Sequence, residues 1–167
     1  QGFIGQMPDE DLDKILDVGL KACFWLLGDA IPYLEKSPAA RFLVTSSLAG
    51  NRRFFPKLVA YCALKAGVNG FIKAAALEVA RKGITVNGVE PGLILGHALQ
   101  QSASPDVIAE RASVFPIPRV GQPREIAEAF LYLASDAAQY VTGVTIPVDG
   151  GLSLGTVEPL KFDKLKD

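Results

Sequence analysis

Two side chains that could share a proton lie four positions apart near the middle of the chain. Tyr61 and Lys65 fall in a predicted helix, and residues four apart in a helix lie on the same face. A free tyrosine has a pKa of about 10, which is too high for a base at neutral pH, but a nearby lysine ammonium lowers that pKa because it favours the phenolate. The hydroxyl of Ser47 could hold a substrate oxygen in place. Together these groups suit proton transfer during the interconversion of a carbonyl and an alcohol.

The elements predicted around these residues bring them to one edge of a sheet. Ser47 ends the apolar run 41–47, which reads as a buried strand, and Pro91-Gly92 ends the next predicted strand, 84–89. Tyr61 and Lys65 open the helix between those strands. Ligands of parallel sheets bind beyond the carboxyl ends of the strands, so the sequence predicts a site at this edge.

The remaining elements alternate between helix and strand. Apolar residues at helical spacing predict a long helix over 9–34 and a second one over 60–82. Further elements are predicted in the C-terminal half, namely helices at 105–114 and 124–133 and a strand at 144–148. This alternation is typical of an α/β fold with a three-layer, doubly wound parallel sheet of the Rossmann-like type.

Composition favours a single globular domain and excludes several classes of protein. The 167 residues are 49% hydrophobic with a net charge of −1, so we expect one domain over 1–155, a charged tail over 156–167, and neither nucleic acid nor a membrane as partner. Cys23 and Cys62 lack the spacing of a zinc site or a disulfide framework, which favours free thiols in the cytoplasm. His97 is the only histidine, and no metal site is expected.

Four motifs in order along the chain resemble those of the short-chain dehydrogenase/reductase family. The segments Thr-Ser-Ser-Leu-Ala-Gly at 45–50 and Tyr-Cys-Ala-Leu-Lys at 61–65 resemble its active-site signature. Val-Asn-Gly-Val-Glu-Pro-Gly-Leu-Ile at 86–94 resembles the loop on the nicotinamide side. The segments 119–127 and 142–151 resemble 3-ketoacyl-carrier-protein-reductase-like members, and the resemblance extends over about 8–151.

The resemblance implies a role for each matching residue. Tyr61 would be the proton donor or base, Lys65 would hold the nicotinamide ribose and lower the tyrosine pKa, and Ser47 would orient the substrate oxygen. The cofactor would be NAD or NADP, which this chain does not distinguish, and its nicotinamide would face the backbone near Pro91, Gly92 and Ile94. The substrate would be a small carbonyl compound or secondary alcohol. Helices 9–34 and 60–82 would pair with a second copy in a homodimer or homotetramer.

The sequence also departs from the family pattern. It contains no Gly-x-Gly, so we expect the chain to be the C-terminal part of a Rossmann-like domain without the N-terminal Gly-rich βαβ portion that cradles the cofactor phosphates. Gly19 stands where the family usually has an asparagine that supports a proton-relay water, and Gly96 stands near a usual threonine. A glycine inside a helix costs about 1 kcal/mol relative to alanine, so Gly19→Asn is expected to stabilise the chain modestly. If the missing asparagine weakens the proton relay, the same substitution is also expected to raise turnover.

Two alternatives remain open, and a third is disfavoured. Ser46 could take the place of Ser47 as the serine that orients the substrate. The chain could be a truncated or degenerate family member that acts as an oligomerisation or scaffold subunit. A hydrolase or lyase with Ser47 as nucleophile is disfavoured, because no histidine lies next to a strand-end acid to serve as its base.

Overall fold

Three parallel strands, adjacent in the order β1-β2-β3, form the sheet in the computed structural model, which describes residues 2–157. The strands are β1 (Arg41–Thr45), β2 (Thr85–Pro91) and β3 (Thr145–Val148). Phe42 pairs with Val86, and all residues of β2 except Pro91 are buried. A central strand buried on both faces is typical of a parallel sheet covered on both sides by helices.

The helix predicted over 9–34 is confirmed, but it contains a π-helical segment. It consists of α1 (Asp9–Leu16), the π segment Asp17–Lys21 and α2 (Ala22–Leu34). The backbone stays right-handed across both junctions, so the segments form one continuous rod. Single π-helical turns occur as bulges inside longer α-helices, so apolar residues at helical spacing on both sides of the segment still predict one helix.

The second long helix matches its prediction closely. It runs as α3 (Val59–Val79), tightens into the 3₁₀ turn Ala80–Lys82, and ends at Gly83 with a left-handed backbone at φ 75°. Glycine adopts that conformation without steric cost, which explains the clean end of the helix. The core contains the buried face of α3 together with side chains of α2 and of the first two strands, namely Leu27, Leu64, Val68, Ile72, Val79 and Val86.

Three further helices follow β2. They are α4 (His97–Ser102), which the sequence analysis did not predict, and α5 (Pro105–Ala112) and α6 (Pro123–Ala134), which it did. The helix α6 contacts all three strands. Phe42, Val44 and Val86 pack against α2 and α3, so strand alternation directs the intervening side chains to the other face, towards α6.

The doubly wound, Rossmann-like α/β fold is therefore confirmed, with three strands among residues 2–157. The division into a domain over 1–155 and a tail over 156–167 stays a prediction, because nearly all of that tail lies outside the described residues. Among the helices of residues 2–157, none is long and apolar enough to cross a membrane.

Candidate active site

A cleft at the carboxyl edge of the sheet contains most of the residues singled out from the sequence. Ser47, Tyr61, Pro91 and Gly92 all line this cleft, whose volume is about 750 Å³. The topology accounts for the convergence, since β1 and β2 end at this edge and α3 begins there. We call it the main cleft.

The two adjacent serines point in different directions. Ser47 is half-buried, lines the main cleft, and its Oγ accepts a hydrogen bond from the backbone N–H of Ala49 at 3.2 Å. Ser46 is buried and its hydroxyl donates to Oδ1 of Asn69 at 2.5 Å. Of the two serines, the structure therefore places only Ser47 where it could meet a substrate.

Lys65 lies behind Tyr61, one turn further along α3. Its Nζ donates to the carbonyl oxygen of Thr45 at 2.8 Å and lies 5.8 Å from the centre of the Tyr61 ring. Burial lowers the pKa of Lys65, and the nearby Cys23 thiol opposes that shift in part. An ammonium group has three N–H donors, so the bond to Thr45 leaves Lys65 further donors for a ligand.

Ile94 is separated from the other predicted cofactor-binding residues. It lines a neighbouring cavity of about 330 Å³ and forms an isolated parallel bridge with Gly121. Leu93 lines both this cavity and the main cleft, so the two spaces adjoin. The loop 91–94 therefore forms part of the wall of both.

The turn after β3 forms part of the wall of the neighbouring cavity. Burial alone would raise the pKa of Asp149, but hydrogen bonds from Ser153 and from the backbone of Gly151 outweigh that effect, and the net pKa is lowered. The distances are 2.9 Å from the Gly151 N–H and 2.8 Å from the Ser153 N–H. Asp149 thus holds the turn in shape as a carboxylate.

A buried carboxylate beneath the main cleft was missed by the sequence analysis. Glu90 is fully buried and accepts hydrogen bonds from Nδ2 of Asn69 at 2.9 Å and from Oγ1 of Thr145 at 3.0 Å. It also forms an ion pair with Nε of Arg52. These contacts join α3, β3 and the loop after Ser47. The available signal was an acidic residue inside an otherwise apolar strand, since such residues are rarely buried unless they are paired.

The space beside Gly19 is filled by an apolar side chain. A Cβ atom built at Gly19 would lie 2.6 Å from Cδ2 of Leu64, and Leu64 is itself only 3% exposed. An asparagine at this position would therefore require the buried Leu64 side chain to shift. This contact opposes the expected gain in helix propensity from Gly19→Asn, so we revise that expectation to a loss of stability.

Gly19→Asn should lower the stability of the chain by about 1–3 kcal/mol, the usual cost of overpacking a core. The Leu64→Ala substitution removes the obstructing side chain. Gly19→Asn should therefore cost less stability in a Leu64→Ala background than in the wild type. Thermal unfolding of the wild type, both single variants and the double variant gives the coupling between the two sites. Strictly additive effects would contradict the packing described here.

Comparison with known proteins agrees with the fold. The sequence profile of a family described as enoyl-(acyl carrier protein) reductase matches residues 1–153. The chain is 40% identical over 149 residues to a 3-oxoacyl-[acyl-carrier-protein] reductase of Rickettsia felis, which covers 88% of this chain and 60% of that protein. It is also 40% identical over 148 residues to a 2,5-dichloro-2,5-cyclohexadiene-1,4-diol dehydrogenase of Sphingobium indicum, covering 87% of the chain and 58% of the relative.

Solved structures show the same similarity. A 7α-hydroxysteroid dehydrogenase in complex with NADH and 7-oxo glycochenodeoxycholic acid superposes with a TM-score of 0.83 at 30% identity, over 96% of this chain and 61% of that one. An NADPH-bound short-chain oxidoreductase of Pseudomonas aeruginosa gives a TM-score of 0.83 at 30% identity, over 90% and 60% of the two chains.

The parallel α/β sheet with a cleft at its carboxyl edge defines a Rossmann-like protein. Together with these similarities, it shows that the chain belongs to the short-chain dehydrogenase/reductase family, and the relatives named above are oxidoreductases. The chain spans about 60% of the length of the curated relatives it matches.

Proposed function

We propose that the protein is an NAD- or NADP-dependent oxidoreductase that transfers hydride between a nicotinamide and a carbonyl compound or secondary alcohol. The observation that carries this proposal is that Ser47 and Tyr61 line the same cleft while the Lys65 ammonium lies beside the Tyr61 ring. Consumption of NADH or NADPH in step with alcohol formation, over a panel of ketones, tests it. Failure with every ketone would favour the scaffold alternative.

Lys65 is suited to hold the cofactor. Its Nζ is fixed by the Thr45 carbonyl at 2.8 Å and retains donors that could reach hydroxyl groups such as those of a ribose. We assign the nicotinamide side to Pro91 and Gly92, which line the main cleft, and to Ile94, which lines the adjoining cavity. When bound, the dinucleotide supplies or accepts the hydride.

The protein would carry the proton side of the reaction. The Ser47 Oγ already accepts a hydrogen bond from Ala49, so its own proton is directed elsewhere and can be donated to a substrate oxygen in the cleft. The Tyr61 hydroxyl would then give its proton to that oxygen during reduction, or take one during oxidation. The Lys65 ammonium places a positive charge 5.8 Å from the centre of the Tyr61 ring.

The scaffold alternative has one specific observation in its favour. Leu64 fills the place beside Gly19 where the resemblance implies a polar asparagine and a relay water. Because an apolar side chain cannot pass on protons, Leu64 would interrupt the supply of protons to Lys65 from the side of Gly19. The alternative therefore predicts a folded subunit that assembles but does not turn over.

We also propose that the protein forms homodimers or homotetramers through helices 9–34 and 60–82, in the cytoplasm. A groove of about 400 Å³ between α2 and α3 is lined mainly by apolar side chains. Large apolar residues beside it are exposed to solvent, including Phe24 at 56%, Trp25 at 59% and Leu77 at 82%. An apolar surface of this kind is typical of an interface between subunits.

The free thiols of Cys23 and Cys62 fit a reducing compartment such as the cytoplasm.

Acidic substitutions in the groove should split the assembly. Gly70 and Ala74 are exposed and line the groove, so Gly70→Glu and Ala74→Glu would bring unpaired charges into the interface. Sedimentation at micromolar concentration should show a larger species for the wild type and monomers for both variants. Ala98→Glu, on the exposed face of α4, is the matched control and should sediment like the wild type. A folded wild-type monomer would contradict the proposal.

A further inference from the structure

The charged side chains that line the main cleft are all positive among the described residues. Two arginines, Arg53 and Arg111, are among its lining residues, and no aspartate or glutamate of the described residues 2–157 lines it. A guanidinium group is always protonated, so the cleft carries two fixed positive charges. Clefts lined by charge of one sign concentrate ligands of the opposite sign. Nothing in the proposed proton chemistry of Ser47 and Tyr61 uses these charges.

Arg53 is held in position for a ligand. Its neighbour Arg52 turns inwards to Glu90, whereas Arg53 is half-buried at the cleft and its Nη1 donates to the Leu152 carbonyl at 2.8 Å. This contact fixes the side chain but uses one of its five N–H donors. The rest of the planar fork could still bind an oxyanion in the bidentate manner typical of arginine.

Arg111 reaches the same cleft from α5. It is exposed, and within residues 2–157 it makes no ion pair, although the exposed residues Arg119 and Arg124 pair with Glu125 and Glu128. The residues four positions before and after Arg111 are Val107 and Phe115, so its own helix offers no acidic partner at that spacing. No acidic side chain of the described residues therefore neutralises its charge at the cleft.

The rest of the cleft wall is largely apolar. Leucine and phenylalanine side chains supply it, namely Leu48, Phe55, Leu58, Leu93, Phe115 and Leu152. Such a wall favours a ligand with an apolar body, while a few charged or polar groups fix its orientation. The arginines and the apolar side chains of the wall together suit a ligand with an apolar body and one anionic group.

We propose that the main cleft takes a substrate with an apolar body and an oxyanion group, a carboxylate or a phosphate, which Arg53 and Arg111 bind while the reacting carbon–oxygen group faces Ser47 and Tyr61. The placement of the reacting carbon–oxygen group at Ser47 and Tyr61 rests on the proposed function. The oxyanion subsite itself stands on the lining of the cleft alone.

Binding of small probes tests the subsite without any turnover. Hexanoate, hexyl phosphate and the neutral hexanamide share an apolar body and differ in charge, and ligand-observed NMR titration gives their dissociation constants. At least one anion should bind about tenfold more tightly than hexanamide, the scale of one charge-assisted hydrogen bond, and added salt should reduce the difference. The tighter of the two anions identifies the group. Equal binding of all three probes would overturn the proposal.

Variants assign the effect to the two arginines. Arg53→Gln and Arg111→Gln should each weaken binding of the favoured anion about tenfold and leave hexanamide binding unchanged. Arg81→Gln, at an exposed position outside the cleft, is the control. Arg111 makes no hydrogen bond within the described residues, so its variant remains informative even if Arg53→Gln fails to fold. Unchanged anion binding in Arg111→Gln would overturn its role.

Turnover separates this inference from the proposed function. If the anion binds through the arginines but no ketone of the panel, 3-oxohexanoate included, is reduced at the expense of NADH or NADPH, the subsite stands and the proposed function fails. If 3-oxohexanoate and 3-oxohexanamide are reduced equally well by the wild type and by both arginine variants, the proposed function stands and the subsite is wrong.

Discussion

Replacing Tyr61 by phenylalanine should reduce turnover at least about a hundredfold, the scale of general acid–base catalysis by one positioned group. The variant removes a single hydroxyl at the wall of the main cleft. Within residues 2–157 that hydroxyl has no protein hydrogen-bond partner, so its loss should leave the fold and the melting temperature essentially unchanged. The expected result is an inactive protein that unfolds like the wild type.

The matched control is Tyr33→Phe, which removes a hydroxyl from a tyrosine that is 76% exposed on α2. Steady-state rates of nicotinamide oxidation should be the same for this control and the wild type. Turnover of Tyr61→Phe within a few-fold of the wild type would contradict the assignment of Tyr61 as the acid or base. A large loss in both variants would point to the assembly instead of the cleft.

Removing Arg52 should be the most damaging change to stability outside the apolar core. Arg52→Met leaves the Glu90 carboxylate fully buried and without its cation, although Asn69 and Thr145 still donate to it. Breaking a buried ion pair in this way costs about 3–5 kcal/mol. We expect a value near the lower end of that range, because the Arg52 side chain is 35% exposed and water can enter. Denaturant unfolding measures the loss.

Two further variants show whether the buried charge is the cause. Glu90→Gln in the Arg52→Met background removes that charge and should recover part of the stability. Arg124→Met breaks an ion pair in which the arginine side chain is 87% exposed, and exposed pairs of this kind contribute only about 0–1 kcal/mol. Equal losses in Arg52→Met and Arg124→Met would contradict the larger cost that we assign to the buried, unpaired Glu90 carboxylate.

Much of the fold could be predicted because its signals are local. The apolar spacing of α3 and the glycine that ends it at Gly83 are both contained in one stretch of sequence. The π-helical segment Asp17–Lys21 was not predictable, since it changes hydrogen bonds along the rod without interrupting the apolar pattern. The six residues of α4 were too few to show any periodicity.

The candidate site likewise contains features that could be predicted from the sequence and features that could not. Ser47, Tyr61 and Pro91-Gly92 were expected at one edge because parallel topology alone brings the ends of successive strands together. The Glu90 network was not expected, since Glu90 meets Arg52 and Thr145 across 38 and 55 residues of sequence and only the folded chain brings them together. The filling of the space beside Gly19 by Leu64 likewise depends on how two helices pack.

The central claim is that the protein moves a hydride between a nicotinamide and a carbon–oxygen group. The most direct measurement supplies NADH or NADPH carrying deuterium at C4 of the nicotinamide, together with a ketone that the protein accepts, and analyses the alcohol by mass spectrometry. The account predicts an alcohol that carries the deuterium at its carbinol carbon, transferred from one face of the nicotinamide only, and no labelled alcohol with Tyr61→Phe over the same period. An alcohol formed without deuterium, or labelled equally from either face, would contradict the account.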